Sequence, residues 1–217
     1  MIKTVAILLD AGFVKVRLKN LLGGKLPEAK DIYSFAQACA AEDEEIFRIY
    51  YYDCPPYQQP IYSQKDKRRI LFIPSAEIID REAAIQRKLS LMDLVAYRAG
   101  ELSYSGWKLK KDVQAKLLDH SQAQATVDFG SLMPDFKQKR VDMKIGLDVA
   151  WLSSKGIVKR IILVTGDSDF VPAMKFARRE GIQVVLVPMG SKLIKEALRV
   201  HADYVRNVPF PPPEQHA

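Results

Sequence analysis

The sequence predicts an α/β fold built on a mostly parallel central sheet flanked by helices. Three observations carry that prediction. Short apolar runs at residues 4–9, 160–165 and 184–187 are continuous rather than alternating, as expected of strands covered on both faces. The last two runs are joined by one helical pattern and short links, and strand, helix, strand in that order makes a parallel βαβ unit. At 217 residues, 48% hydrophobic and 27% charged, the chain is long enough to bury a real core and is not a disordered segment.

The elements follow in order. The first strand, residues 4–9, stops at Asp10, and Gly12 permits a tight turn into a basic helix over 14–22 closed by Gly23 and Gly24. A second helix is expected over 27–41, with Pro27 near its first turn and Ile32, Phe35 and Ala36 on one face. Aromatic and β-branched residues predict a strand over 46–53. Cys54-Pro55-Pro56 ends it, and the Pro- and Tyr-containing stretch to Arg69, with the basic cluster Lys65, Lys67, Arg68 and Arg69, reads as a long surface loop. Residues 75–99 read as helix, and 102–111, with Trp107, as a hairpin or edge strand. Together, residues 54–135 break the strand–helix alternation and form an elaboration of a single domain spanning 1–207. Regularity resumes at Lys139: helix 141–154 with Gly156 as its stop, strand 160–165, helix 170–180 ended by Gly181, and strand 184–187. Ser191 is placed to cap a helix over 192–201, and Tyr204 and Val205 form a short edge strand. The Pro-rich tail 208–217 is expected to be extended or disordered.

Composition narrows the classes of function. A net charge of +7 favours an anionic partner such as nucleic acid. Cys39 and Cys54 have neither metal-site spacing nor a disulfide framework, as in a reduced cytoplasmic compartment. The N-terminal apolar run is interrupted by Asp10 after about five residues, too few for a signal-peptide core, and no run approaches the ~20 residues of a membrane span. The expectation is a cytoplasmic chain with no membrane partner; association with a second copy is left open.

Ligand sites in open parallel sheets form beyond the carboxyl ends of the strands, where strand order reverses. Asp10 and Asp167 stand at two such ends. If their strands are neighbours, the two carboxylates lie about one strand spacing (~4.8 Å) apart. In the helix over 141–154, Val141, Ile145, Val149 and Leu152 make an apolar stripe with Asp142 and Asp148 on its opposite edges. Asp142 is in the first turn, where the helix dipole favours negative charge, whereas Asp148 lies ~9 Å further along the axis. Two carboxylates ~4 Å apart repel by about 4 kcal/mol at an effective dielectric of 20, so something must offset them. Oxygen-only ligands suit Mg²⁺ or Mn²⁺, which lowers the pKa of a bound water and stabilises charge on a phosphate under in-line attack. Singly, each residue has a structural alternative: Asp10 a turn residue, Ser168 or Asp169 a helix cap, Asp142 a cap, Asp148 a hydrogen-bonded structural carboxylate.

Three blocks, VAILLDAGF at 5–13, KRVDMKIGLDVA at 139–150 and ILVTGDSDFVPAMKFARREGIQVVLV at 162–187, occur in the order found in the NYN domain family, the LabA-like branch of the PIN-like nucleases, which the chain resembles. The stretch YYYDCPP at 50–56 adds a less diagnostic match. The resemblance implies a PIN-like three-layer α/β sandwich whose acidic residues bind Mg²⁺ or Mn²⁺ and cleave RNA, leaving a 5′-phosphate and a 3′-hydroxyl. It assigns Asp10, Asp142 and Asp167 as principal acidic residues and Asp169 and Asp148 as further motif carboxylates. Many relatives carry Asn three residues after the first Asp; here that residue is Phe13, and Thr165 and Ser168 are the nearest candidates for polar contacts.

A phosphodiester substrate gives a use to the basic residues flanking the acidic blocks, Lys15, Arg17, Lys137, Lys139, Arg140 and Lys144, as phosphate contacts, although each is also an ordinary solvated charge. Tyr57, Tyr62 and Trp107 are candidates to stack on the bases of single-stranded RNA, and Lys65 to Arg69 for a further contact. DNA is not excluded by these features. Two other classes compete with a metal-dependent endoribonuclease: a non-catalytic RNA-binding or regulatory module on the same fold, and phosphoryl transfer on a small nucleotide. Against the last, no Gly-rich phosphate loop is present.

Overall fold

Residues 5–9 are buried on both faces of their strand. Val5, Ile7 and Leu9 point into one apolar cluster, Ala6 and Leu8 into another. A strand of this kind needs helices above and below it, because no face of it can meet water without exposing apolar surface. The computed structural model describes residues 2–63, 68–118, 128–191 and 194–211. It runs β1 (Lys3–Asp10), α1 (Ala11–Leu21), α2 (Ala29–Ala38), β2 (Glu44–Asp53), β3 (Ile61–Tyr62), β4 (Ile70–Phe72), α3 (Ala76–Ser90), β5 (Val95–Ala99) and β6 (Glu101–Leu109). It continues through α4 (Lys111–Leu118), β7 (Leu132–Lys139), α5 (Val141–Ser154), β8 (Arg160–Val164), α6 (Val171–Arg179), β9 (Gln183–Leu186), α7 (Glu196–His201) and β10 (Tyr204–Val205).

Six strands pair in the order β10-β9-β8-β1-β2-β5, every pair parallel. On one face α1, α2 and α3 supply Val14, Leu18, Ile32, Phe35, Ile85 and Leu89. On the other, α5, α6 and α7 supply Val141, Ile145, Val149, Leu152, Met174 and Leu198. The result is the expected three-layer α/β sandwich. Burying each such side chain stabilises the fold by about 1.5–3 kcal/mol. Strand order reverses between β1 and β8, since β2 lies on one side of β1 and β8 on the other. The helix over 141–154 occurs where its apolar stripe predicts it, and Gly156, at φ +60°, provides the left-handed residue that ends it.

Several elements differ from expectation. The stretch 75–99 is not one helix: α3 ends at Ser90, and 95–99 is the edge strand β5, paired with β2. The reversal runs through Leu94 at φ 61°, a conformation for which a branched residue gives no sequence signal. The first helix begins at Ala11 rather than Val14, because the Asp10 side chain accepts from the backbone N–H groups of Gly12 and Phe13 and caps it at once. Gly12 is thus inside the helix, not in a turn. The second helix is shorter than 27–41, since Glu28 and Asp31 form a reciprocal capping box after Pro27. The segment 54–69 is not wholly loop, because Ile61–Tyr62 pairs with Ile70–Phe72. The 102–111 strand is β6, whose antiparallel partner β7 follows only after α4. The last helix starts at Glu196, after Lys195, so Ser191 does not cap it. The tail is docked at its beginning: Val208 is buried and Phe210 packs edge-on against Phe35 at 5.8 Å. Lys65, Lys67 and residues 212–217 lie outside the described residues. No described helix is long and apolar enough to cross a membrane.

Candidate active site

The register of β1 with β8 pairs Leu9 with Val164, which brings Asp10 and the residues after Val164 to the same edge. Thr165 is the hinge of that edge. Its buried hydroxyl donates to Asp10 Oδ2 at 3.1 Å and accepts the Asp167 N–H at 3.1 Å. A single side chain therefore ties the two strand-end aspartates together. Asp10 is held further by its capping bonds from Gly12 N (3.1 Å) and Phe13 N (3.4 Å).

Asp142 enters from the first turn of α5, just after Arg140, whose φ of 69° turns the chain sharply from β7 into the helix. Burial raises the carboxyl pKa of Asp10, and the charge of Asp142 adds to the effect, outweighing the stabilising bonds from Thr165 and the two backbone N–H groups. Burial also raises Asp142, followed by repulsion from Asp167 and Asp169. The four carboxylates thus share one electrostatic neighbourhood. Asp167 caps the single turn Ser168–Phe170 by accepting from Asp169 N at 3.1 Å. The capping role falls to Asp167 itself, one residue before the expected Ser168 or Asp169.

Asp148 is placed elsewhere. Its carboxylate accepts from Tyr52 Oη at 2.8 Å and Arg98 Nε at 2.9 Å, joining α5 to β2 and β5. Among the basic residues, Lys15 binds Asp53 (2.9 Å) and Glu82 (3.0 Å), and Arg17 donates twice to the Met189 carbonyl, at 3.0 and 2.8 Å. Lys144 donates to the Ala99 carbonyl, and Arg140 forms an exposed ion pair with Glu101. Lys137 and Lys139 are exposed and make no salt bridge among the described residues. Tyr62 is exposed, whereas Trp107 packs edge-on against Phe129 at 4.9 Å.

Lys195 and Gln138 complete the edge without having been expected. Lys195 Nζ donates to Ser168 Oγ at 3.1 Å and lies 3.8 Å from Asp167 Oδ1. The Gln138 amide stands over the first turn of α1, where a Cβ on Gly12 would lie 3.5 Å from its Oε1 and 3.4 Å from Asp10 Oδ1. Period-two alternation along β7 was the signal that could have singled out Gln138; nothing local marks Lys195. Phe13 packs its ring directly on Gly166, so closely that a Cβ there would lie 2.7 Å from Cε2.

The NYN domain model matches residues 95–208, more than half of the chain. The chain belongs to the NYN domain family. Its fold is accordingly nuclease-like and PIN-related, and the matched region holds Asp142, Asp167 and Asp169, while Asp10 lies before it. No curated protein matches this NYN chain. A solved structure of a protein of unknown function from Vibrio parahaemolyticus aligns over 96% of this chain and 94% of its own, with 17% identity and a TM-score of 0.48.

The donor set of the NYN edge suits a hard divalent cation, being oxygen-only and mutually repulsive. Among the described residues no three His, Cys, Asp or Glu side chains are grouped to hold a metal ion as they lie. Asp10 is fixed by three hydrogen bonds, whereas the carboxylates of Asp142 and Asp169 accept none from described residues.

Proposed function

We propose that the chain is a metal-dependent endoribonuclease of the NYN family acting on single-stranded RNA. The observation that carries this reading is the Thr165-bridged pair of aspartates at the ends of β1 and β8, with Asp142 electrostatically coupled to both sides of it. Asp10, Asp142 and Asp167 would hold Mg²⁺ or Mn²⁺, with Asp169 beside them. When bound, the cation supplies an activated water and neutralises charge on the phosphate. The protein's part is positioning. Thr165 and the α1 N-terminus hold Asp10 in one orientation and offset part of the burial that raises its carboxyl pKa. Lys195 offers an ammonium to a phosphate oxygen at the rim. Asp148 serves as a positioning residue for α5, through Tyr52 and Arg98. Hydrolysis would leave a 5′-phosphate and a 3′-hydroxyl.

The competing reading is an RNA-binding module without turnover, favoured by Phe13 and by the ungrouped ligands. Labelled single-stranded RNA incubated with Mn²⁺, Mg²⁺ or EDTA, with Asp10→Asn and Asp167→Asn alongside, separates the two. The nuclease reading expects cleavage that EDTA and either substitution abolish. Cleavage that survives them defeats the metal mechanism, and tight binding without cleavage favours the module.

A further inference from the structure

A cavity of about 300 Å³ opens beside the acidic edge, over the carboxyl end of β2. Its walls include the rings of Tyr57, Phe72 and Phe136, and its polar lining includes Lys15, Glu82 and Gln138. Asp10 pairs in register with Tyr52, so the β2 end that floors the cavity is one strand away from the candidate active site. Gln138 belongs to both places, lining the cavity and standing over Gly12 in the helix turn that Asp10 caps.

Its chemistry selects among anions, ions and neutral rings. Lys15 spends its donors on Asp53 and Glu82, and Gln86 Nε2 adds a bond to Asp53 at 3.0 Å. No uncompensated positive charge is left to draw a phosphate. What remains is apolar and aromatic wall, with a donor–acceptor amide on Gln138 and the second lone pairs of the Glu82 oxygens, which already accept from Lys15 and Arg81. That combination fits a neutral, planar, polar-edged ligand, and the volume lies at the small end for ligand pockets. Tyr57 and Phe136 already lie 4.8 Å apart, and Phe72 and Phe136 6.0 Å, so the wall is a contiguous aromatic surface.

We propose that this cavity receives one unpaired nucleobase of the RNA strand, next to the phosphate that lies at the acidic edge. The base packs on the aromatic wall while Gln138 and Glu82 meet its polar edge, so that the cavity sets the position of cleavage by the base it accepts. The assignment of the ligand to a strand rests on the nuclease reading; the presence of a base site does not.

The test reads binding apart from turnover. A single-stranded RNA oligonucleotide of mixed sequence carries 2-aminopurine, or an abasic nucleotide, at each position in turn. Binding to the full chain is measured in EDTA, and cleavage of the same set is measured in Mn²⁺. The expected result is quenching at one position and a loss of affinity of ~5-fold or more when that base is removed. Tyr57→Ala should erase this positional effect and leave affinity for the abasic strand unchanged, while the lost contact with Phe136 lowers the melting temperature, a change separate from the positional readout. Cleavage should fall at a fixed distance from the same position. Equal effects at all positions, or a positional effect that survives Tyr57→Ala, Phe136→Leu and Gln138→Ala, overturn the proposal. A positional effect without cleavage sinks the nuclease reading and leaves the base site standing; cleavage without a positional effect does the reverse. Displacement by a mononucleotide at lower concentration than by the oligonucleotide overturns the assignment to a strand.

Discussion

Gly166 precedes the acidic loop, and its φ lies outside the left-handed region, so its backbone would accept alanine. The obstacle is the Phe13 ring: an added Cβ would meet Cε2 at 2.7 Å, Cδ2 at 3.1 Å and Cζ at 3.5 Å. Phe13 cannot swing away freely, because it packs against the buried cluster of β1, α1 and α2. Either the ring or the loop carrying Asp167 must move. Overpacking of this kind costs about 1–3 kcal/mol, so Gly166→Ala should lower the urea midpoint accordingly at unchanged m. Phe13→Leu removes the ring atoms that meet the new methyl group. In the double variant the penalty of Gly166→Ala should therefore shrink, with a coupling of ~1 kcal/mol or more. The same displacement should weaken stabilisation by Mn²⁺, read as the rise in melting temperature at saturating cation. Wild-type stability in Gly166→Ala, or a penalty undiminished by Phe13→Leu, would refute the idea that Phe13 wedges the loop.

Three more outcomes follow from the same contacts. Saturating Mn²⁺ should raise the apparent stability of the wild-type chain, by about 2.7 kcal/mol at a hundredfold excess over Kd, and Asp10→Asn should abolish the rise in a thermal melt. Asp148→Asn should destabilise by about 1–3 kcal/mol, through the loss of a charged partner for Arg98, while leaving the Mn²⁺ shift in place. Burial alone would raise Glu44, but bonds from Arg206, Ala41 N–H and Arg160 bring its carboxyl from 4.5 down to about 2. That lowered value adds up to ~3 kcal/mol of stability, fully present above pH ~4.5 and lost as pH falls through about 2. Glu44→Gln should be less stable than wild type at pH 7, and the difference should narrow in denaturant titrations taken toward pH 2.

The parts that were legible in the sequence are those decided by local pattern. A strand buried on both faces is a continuous apolar run, so β1, β8 and β9 were plain, and the stripe of α5 fixed which way that helix faces. Two carboxylates at the ends of such strands then fell on one edge through topology. Where an element depends on a distant partner, the pattern fails. Strand β7 carries Pro134 and alternating charges, and it is a strand because β6 pairs with it across an intervening helix. The basic residues show the same limit more sharply. Lys15 and Arg17 flank the first acidic block and looked like phosphate contacts, yet their partners lie 38 and 172 residues away. Both hold scaffold: Lys15 neutralises buried Asp53, and Arg17 pins the backbone at Met189. Net charge near a site therefore overstates the charge available to a ligand, because a buried carboxylate takes its cation first. The cation set against the acidic edge is Lys195, whose Nζ donates to Ser168 Oγ at 3.1 Å, whereas Lys137 and Lys139 alternate with Gln138 along β7 and fall on its other face. A strand drawn past Asp10 and Asp167 would thus be guided from the α7 side by charge and from the β2 side by the aromatic cavity, which gives the site a direction.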